Sequence, residues 1–547
     1  MQGTPTENLA TRLSQSFPSP DEIPSDYRID PSPYERLYLI DGKVREWEGP
    51  FTEVSSPICL RQNGTLQRPI IGRVPAMDEA AALAGLDAAV RAWDNGRGPW
   101  PTMSVPARIE AVEHFVSRML TVRDEVVKLL MWEIGKSLGD SRKEFDRTVE
   151  YIRLTIEALK ETDRNNSRFS IDSGVIAQVR RSPLGVCLSM GPFNYPLNET
   201  YTTLIPALIM GNTVVVKPPK FGTLAHQPLL SAFAESFPPG VVNFIYGSGA
   251  KIIGPIMRSG KVDALAFIGS SRAAKLLKHE HPRPHRMRSI LGLDAKNPAL
   301  IMPDADLDVA VRECVMGALS FNGQRCTGLK LIFAHESIVD RFLEKLSASV
   351  SALPIGMPWD KDVKLTPLPE FDKAKSMQAY VDDAVAKGAR VINPGGGAAC
   401  ETLYFPAVVY PVAPTAELYT KEQFGPVVPV CSYRNEQDFL DFVAESNFGQ
   451  QVSLFGSDPQ EIARFVDPLA NQVSRININA QCQRGPDTLP FTGRKDSAEG
   501  TLSISDALRC FSIRSLVAAQ SNETGREIIQ KIVAGRYSSF LHTDFIL

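Results

Sequence analysis

The eight cysteines include no CxxC pair. Cys59, Cys187, Cys314, Cys326, Cys400, Cys431, Cys482 and Cys510 are scattered through apolar segments. This argues against a cysteine zinc cage or a disulfide-framed scaffold, and points to a reducing, cytoplasmic setting. Histidine is scarce too, with seven in 547 residues. The one cluster, His279-Glu280-His281, matches no zinc template and runs straight into Pro282. It reads as a solvated turn, and no metal is expected. An excess of one charge sign is also missing, since the formal balance is −3. No broad basic surface for nucleic acid or an anionic membrane follows from that. Long apolar runs are absent. The longest, Leu204 to Val216, is broken by Pro206, Gly211 and Asn212 and is too short to span a bilayer. No apolar stretch follows basic residues near the start, so no secretory signal is expected. No fixed-period repeat is present.

What is there is an ordinary globular composition and enough chain for two to four domains. Residues 1–35 are polar and carry Pro18, Pro20, Pro24, Pro31 and Pro33, which predicts an extended leader draped over the body. Short strands are expected over 37–72 and a helix from Asp78 to Trp93. One or two long helices are expected over Val105–Lys136, and another over Ser141–Lys160. Alternation around Gly174, from Phe169 to Arg180, predicts a hairpin. Strand–helix units then repeat. Strands are expected at Gly185–Met190, Thr213–Lys217, Val241–Ile245 and Leu265–Ile268, with helices at Leu197–Ile209, Leu224–Phe237 and Ile252–Ser259. This rhythm predicts a parallel sheet with both faces covered. A second α/β set runs from Pro298 to about Phe465, and a last helix is expected at Gly525–Ala534.

Several segments can carry chemistry. In Phe321-Asn322-Gly323-Gln324-Arg325-Cys326-Thr327 a cysteine follows a glycine turn and an arginine. A neighbouring cation favours the reactive thiolate, although most cysteines are small buried hydrophobes. Gly191-Pro192-Phe193-Asn194-Tyr195-Pro196 leaves Asn194 at a strand's C-terminal edge, as an oxyanion donor or part of a plain turn. The strand before Lys217-Pro218-Pro219-Lys220 ends in two lysines, either solvated or facing a ribose or phosphate. Gly269-Ser270-Ser271 and Gly247-Ser248-Gly249 are small-residue turns whose backbone amides can hold a phosphate. Neither is a GxGxxG fingerprint. Glu422-Gln423-Phe424 offers a carboxylate for ribose hydroxyls and a ring to pack on nicotinamide, or simply a loop with a buried Phe. Arg484, in Gln483-Arg484-Gly485-Pro486, suits phosphate or carboxylate recognition, although most loop arginines are only solvated.

Taken in order, GPFNYP, VVVKPPK, FIGSS, DADLD at 304–308, NGQRCT and EQFGPV make the chain resemble the aldehyde dehydrogenase superfamily from about residue 35 to 515. KPPK, GQRCT and QRGPD, with the later LPF, make it most similar to its non-phosphorylating, NADP-dependent glyceraldehyde-3-phosphate dehydrogenases. The resemblance implies an α/β fold with a Rossmann-type cofactor domain (36–166 and 183–291) and an α/β catalytic domain (292–500). It also implies a small β oligomerisation element (167–182 and 501–518) between an N-terminal extension (1–35) and a C-terminal one (519–547). It implies a nucleophile at Cys326 and an oxyanion amide at Asn194. Lys217, Lys220, Gly249, Gly269, Ser270, Glu422 and Phe424 then match cofactor contacts. Lys220 stands where NAD-specific relatives carry a glutamate, so NADP is favoured over NAD. Arg147, Tyr195, Arg325 and Arg484 match the contacts of an anionic, phosphorylated aldehyde. A homodimer or homotetramer is implied.

One segment departs from the family. Where relatives read ELGGK, this chain has Gly292-Leu293-Asp294-Ala295-Lys296, so the position of the hydrolytic base is a glycine. Asp294, two residues on, is the candidate substitute base. The gap leaves two alternatives open: thioester transfer to coenzyme A, as in acylating semialdehyde dehydrogenases, or a catalytically silent member of the fold.

Overall fold

The protein is described by a computed structural model over residues 5–30 and 32–544. Residues 1–4 and Pro31 of the leader, and 545–547 of the tail, lie outside the described residues.

The leader is not extended. Pro5–Ser16 is a helix, and 3₁₀ turns follow at Pro20–Glu22, Ser25–Tyr27 and Ser32–Tyr34. Leu13 and Phe17 are fully buried and join the main core with Ile58 and Leu403. Proline fixes φ near the helical value and is tolerated where a turn begins, and Pro20 and Pro24 stand at the starts of two of these turns. Arg61 anchors the segment through Phe17 O and an ion pair with Glu22 at 2.6 Å.

Two sheets organise the body. In the first, five parallel strands lie in the order Val242–Phe244, Thr213–Val216, Val186–Met190, Ala264–Ile268, Arg288–Gly292. Antiparallel strands flank them, Leu37–Ile40 at one edge and Ala498–Glu499 at the other. Alternate residues serve opposite faces. Val186, Leu188, Val215 and Leu265 share a core with the helix Glu79–Trp93. Cys187, Val214, Val216 and Ala264 pack instead with the helix Asn198–Ile209. A period of two with both faces apolar is what a covered parallel sheet requires. The strand order reverses between Val186–Met190 and Ala264–Ile268, and α/β sheets bind ligands at such a switch point.

The second sheet runs Arg390–Val391, Ala407–Tyr410, Val427–Tyr433, Leu329–His335, Asn297–Ile301, Gln451–Phe455, Arg475–Ile478, all parallel except the first pair. A third, small sheet pairs the hairpin Ser170–Asp172/Val175–Pro183 with Ser512–Gln520. The stretch before that last strand, Ile504–Cys510, is a helix.

The helical stretch after Ser104 is cut in two, Val105–Leu120 and Arg123–Ile134, because Val122 leaves the helical region with φ −110° and ψ 15°. Gly135 then turns the chain at φ 64°, where a Cβ would strike Pro367 O. The next helix, Leu138–Asn166, extends past both expected ends, capped by Ser137 Oγ accepting from Asp140 N at 3.1 Å. His279 and Glu280 form the last turn of the helix Ser271–Glu280, and His281 is buried behind it. The sequence reading of a solvated turn is therefore corrected.

Candidate active site

The helix Leu307–Leu319 runs into a tight turn before the strand Leu329–His335. Phe321, Asn322 and Gly323 are all left-handed, with φ of 48°, 55° and 72°. Such a backbone costs about 1–3 kcal/mol per non-glycine residue, so its surroundings must hold it. Asn322 Nδ2 donates to Thr366 O at 3.0 Å and its Oδ1 accepts from Thr366 N at 3.0 Å. At Gly323 a Cβ would lie 2.6 Å from Gly425 O. Beyond the turn, Asn297 Nδ2 donates to Cys326 O at 2.8 Å. Cys326 emerges half-buried on the wall of a cavity of about 1470 Å³.

The thiol is not held as a thiolate. Burial pushes it up to about 11, and the charges of Glu199 and Glu422 add to that, against Arg484 and Lys330. Arg325 does not supply the expected help. Its Nη2 is engaged by Gly317 O at 3.4 Å, Gln481 Oε1 at 3.3 Å and Cys482 O at 3.3 Å.

Asn194 faces the same loop, its Nδ2 donating to Gln324 O at 2.7 Å. An amide nitrogen has a second hydrogen, which leaves one for a ligand. The Asn194 loop rests on a fully buried ion pair, Lys136 with Glu144. Lys136 Nζ donates to Asn194 O at 2.7 Å, and Glu144 Oε1 accepts from Leu197 N at 3.0 Å and Asn198 N at 3.1 Å. The same ammonium lies 3.8 Å from the Tyr195 ring centroid and 4.4 Å from that of Phe321, tying the amide loop to the thiol turn. Sequence reasoning missed this pair. Its one signal was spacing: Glu144, Thr148, Tyr151 and Thr155 share the buried stripe of their helix.

Arg147, Tyr195, Arg325 and Arg484 all line the cavity. Arg147 makes a bidentate pair with Asp487, at 3.0 and 2.8 Å. Arg484, 6% exposed, pairs with Glu199 and also donates to Asp487 Oδ1 at 3.2 Å and Leu502 O at 3.3 Å. Burial works against the charge on Asp487, but Arg147 and Arg484 together hold its carboxyl below the usual range. The sequence offered these arginines without their acids. Glu199 in particular, on the first turn of the helix after Asn194, was not singled out.

On the other side lie the expected cofactor contacts. Lys217 follows the strand Thr213–Val216, its ammonium lowered to about 8 by burial. Lys220 is exposed, its Nζ 5.0 Å from the Phe221 ring centroid. Gly249 opens the helix Gly249–Arg258, and no atom lies within 4 Å of a Cβ built on it. Glu422 is pushed up to about 7 by burial, against the pull of Lys330, whose Nζ is 3.8 Å away. Its Oε1 has no hydrogen-bond donor. A buried orphan acceptor costs about 1–3 kcal/mol until a donor arrives, so this oxygen suits a ribose hydroxyl. The Phe424 ring stands edge-on to Phe193 at 5.8 Å.

The turn at Gly269 and Ser270 is less open than expected. Gly269 N donates to Gly292 O at 3.0 Å, Ser270 Oγ caps Ala273 N at 3.3 Å, and Ser271 N donates to Asp294 Oδ2 at 2.8 Å. Asp294 also accepts from Ser271 Oγ at 2.8 Å. Its carboxylate therefore caps the helix Ser271–Glu280 rather than standing free as a base beside the thiol. Gly292 itself is not crowded: a Cβ there would meet Ile268 at 3.4 Å and Leu502 at 3.5 Å. Among the described residues, no group of three or more His, Cys, Asp or Glu side chains is arranged to hold a metal ion.

Residues 62–517 match the profile of the aldehyde dehydrogenase family. The NADP-dependent glyceraldehyde-3-phosphate dehydrogenase of Streptococcus equinus is 32% identical over 464 residues, 82% of this chain and 92% of that one. The enzyme of the same name from Pisum sativum is 32% identical over 481 residues, covering 86% and 92%. Among solved structures, the NADP-dependent glyceraldehyde-3-phosphate dehydrogenase from Bacillus halodurans C-125, complexed with NADP, aligns with a TM-score of 0.81 at 27% identity. That match covers 89% of this chain and all of the other.

Proposed function

The chain belongs to the aldehyde dehydrogenase family of aldehyde-oxidising oxidoreductases, and from that premise we propose that it oxidises glyceraldehyde 3-phosphate, or a similar anionic aldehyde, to the acid with NADP. The observation that carries this reading is a single cavity lined by the Cys326 thiol, the Asn194 amide and three arginines, the buried Arg484 with the half-buried Arg147 and Arg325. Names of relatives support the choice of substrate and cofactor.

In this reading Cys326 Sγ attacks the aldehyde carbon and its proton leaves for solvent. The free N–H of Asn194 Nδ2 and the backbone N–H of Cys326 stabilise the oxyanion of the thiohemiacetal. NADP, when bound, would supply the hydride acceptor. A thioester on Cys326 remains, and water releases it as the acid. Glu422 Oε1 would hold a ribose hydroxyl, Phe424 would support the nicotinamide side, and Lys217 and Lys220 would hold the adenosine ribose and its 2′-phosphate. Arg484, Arg147 and Arg325 with Tyr195 receive the substrate's anionic end. The setting is cytoplasmic. The exposed strand Ser512–Gln520, with Leu516 61% and Ile513 52% exposed, supports a homodimer or homotetramer.

Gly292 favours a second reading, in which coenzyme A takes the acyl group. A purified-enzyme screen separates the two. The first predicts NADPH from glyceraldehyde 3-phosphate without coenzyme A, with a clear preference for NADP over NAD; formation only with coenzyme A supports the second. Arg484→Ala should raise KM for the phosphorylated aldehyde about 100-fold and for uncharged glyceraldehyde far less. Equal effects would remove the anion-site assignment.

A further inference from the structure

Hydrolysis of a thioester needs a base within reach of the attacking water. Gly292 cannot be that base, and most of the carboxylates around the cavity have fixed partners. Asp294 caps a helix through Ser271 N and Oγ. Glu144 is locked to Lys136 and two backbone amides. Glu422 sits against Lys330, where the cofactor reading needs it.

Glu199 is different. It lines the same cavity as Cys326 and, of the surrounding charges, acts most strongly on the thiol. Asn198 Nδ2 reaches its Oε1 only at 3.5 Å. Its one strong partner is Arg484, the residue assigned above to the substrate's anion.

We propose that Glu199 is the base of the deacylation step, kept paired with Arg484 until an anionic substrate takes that guanidinium and releases it. This rests on the preceding reading of the site. The substrate's anion and the Glu199 carboxylate are alternative acceptors for one arginine. Once displaced, the carboxylate takes a proton from water, and the water oxygen bonds to the thioester carbonyl carbon. The tetrahedral intermediate collapses, the C–S bond breaks and Cys326 leaves as a thiolate. The acid ionises, and Glu199 passes its proton to solvent. A charged aldehyde thus triggers its own hydrolysis.

The test is rapid mixing of the enzyme with NADP and glyceraldehyde 3-phosphate. Glu199→Gln should keep a burst of one NADPH per subunit while the steady rate falls about 100-fold. Peptide mass mapping should then find the acyl group on Cys326. Loss of a structural support alone would raise KM without accumulating acyl-enzyme, and would overturn the proposal. So would Asp294→Asn accumulating it while Glu199→Gln does not. If Glu199→Gln fails to fold, Glu199→Asp is read the same way, and an unchanged steady rate overturns the proposal. The wild type gives an independent check. With uncharged glyceraldehyde the ratio of burst rate to steady rate should be at least tenfold higher than with the phosphorylated aldehyde, and equal ratios overturn the release of Glu199. If the wild type forms no NADPH from any aldehyde, the functional reading falls as well; if it turns over and Glu199→Gln matches it, only the role of Glu199 falls.

Discussion

Alkylation of Cys326 in the cofactor-free enzyme should behave unlike that of a free cysteine. Its thiol is pushed up to about 11 from an ordinary 9.0, chiefly by burial. At pH 8 that leaves roughly one thiolate in a thousand, against about one in ten for an ordinary thiol. Since the thiolate is the nucleophile, iodoacetamide should modify Cys326 about 100-fold more slowly than a free cysteine at that pH. The rate should climb about tenfold per pH unit from 7 to 10 with no plateau. Glu199→Gln removes the strongest of the negative charges acting on the thiol. A like charge disfavours ionisation, so the midpoint should move down by about one pH unit and the rate at pH 8 should rise about tenfold. Cys400 and Cys510 are also only half-buried, so the assay is mass mapping of the Cys326 peptide with Cys326→Ser as the blank. A plateau below pH 9, or slower alkylation in Glu199→Gln, would refute the assignment of burial and Glu199 as the causes.

Other consequences are separable. Asn194→Ala removes one oxyanion donor and should lower kcat about 100- to 1000-fold with KM little changed; an unchanged kcat in steady-state assay would remove Asn194 from the chemistry. Lys220→Glu should raise KM for NADP at least tenfold and improve use of NAD, because a carboxylate repels a 2′-phosphate and accepts from ribose hydroxyls; unchanged cofactor preference refutes the role. Lys136→Met strands Glu144 as a buried, unpaired charge, which costs about 3–5 kcal/mol. It should lower the urea midpoint of the unfolding transition and slow catalysis by loosening the Asn194 loop; an unchanged midpoint would count against the pair as a support.

The parallel strands and their covering helices were legible because the strands are short and mostly apolar, as in Thr213–Val216, which is buried along its whole length. The segments around Cys326 and Asn194 were legible because strand-end loops of defined spacing carry them. Partners from distant elements were not. Asp487 meets Arg147 across 340 positions and Arg484 meets Glu199 across 285, and no local pattern in one sequence records such contacts. The charge state of Cys326 was misjudged for a related reason. Adjacency of Arg325 in sequence says nothing of where its guanidinium is held, and burial outweighs it. Prolines in the leader suggested extension, yet Pro20 and Pro24 begin short turns, and Phe17 before them is buried. Asp294 looked available because its spacing fits an extended strand, and only the fold brings the helix Ser271–Glu280 against its carboxylate.

In the proposed reaction Cys326 carries the acyl group during an NADP-dependent oxidation of an anionic aldehyde. Acid quench during the first turnover with NADP and glyceraldehyde 3-phosphate, followed by peptide mass analysis, tests it most directly. A phosphoglyceryl adduct on the Cys326 peptide is expected in an amount equal to the NADPH formed, with neither adduct nor NADPH from Cys326→Ser. NADPH formation by Cys326→Ser at the wild-type rate, or an adduct on another cysteine, would contradict it.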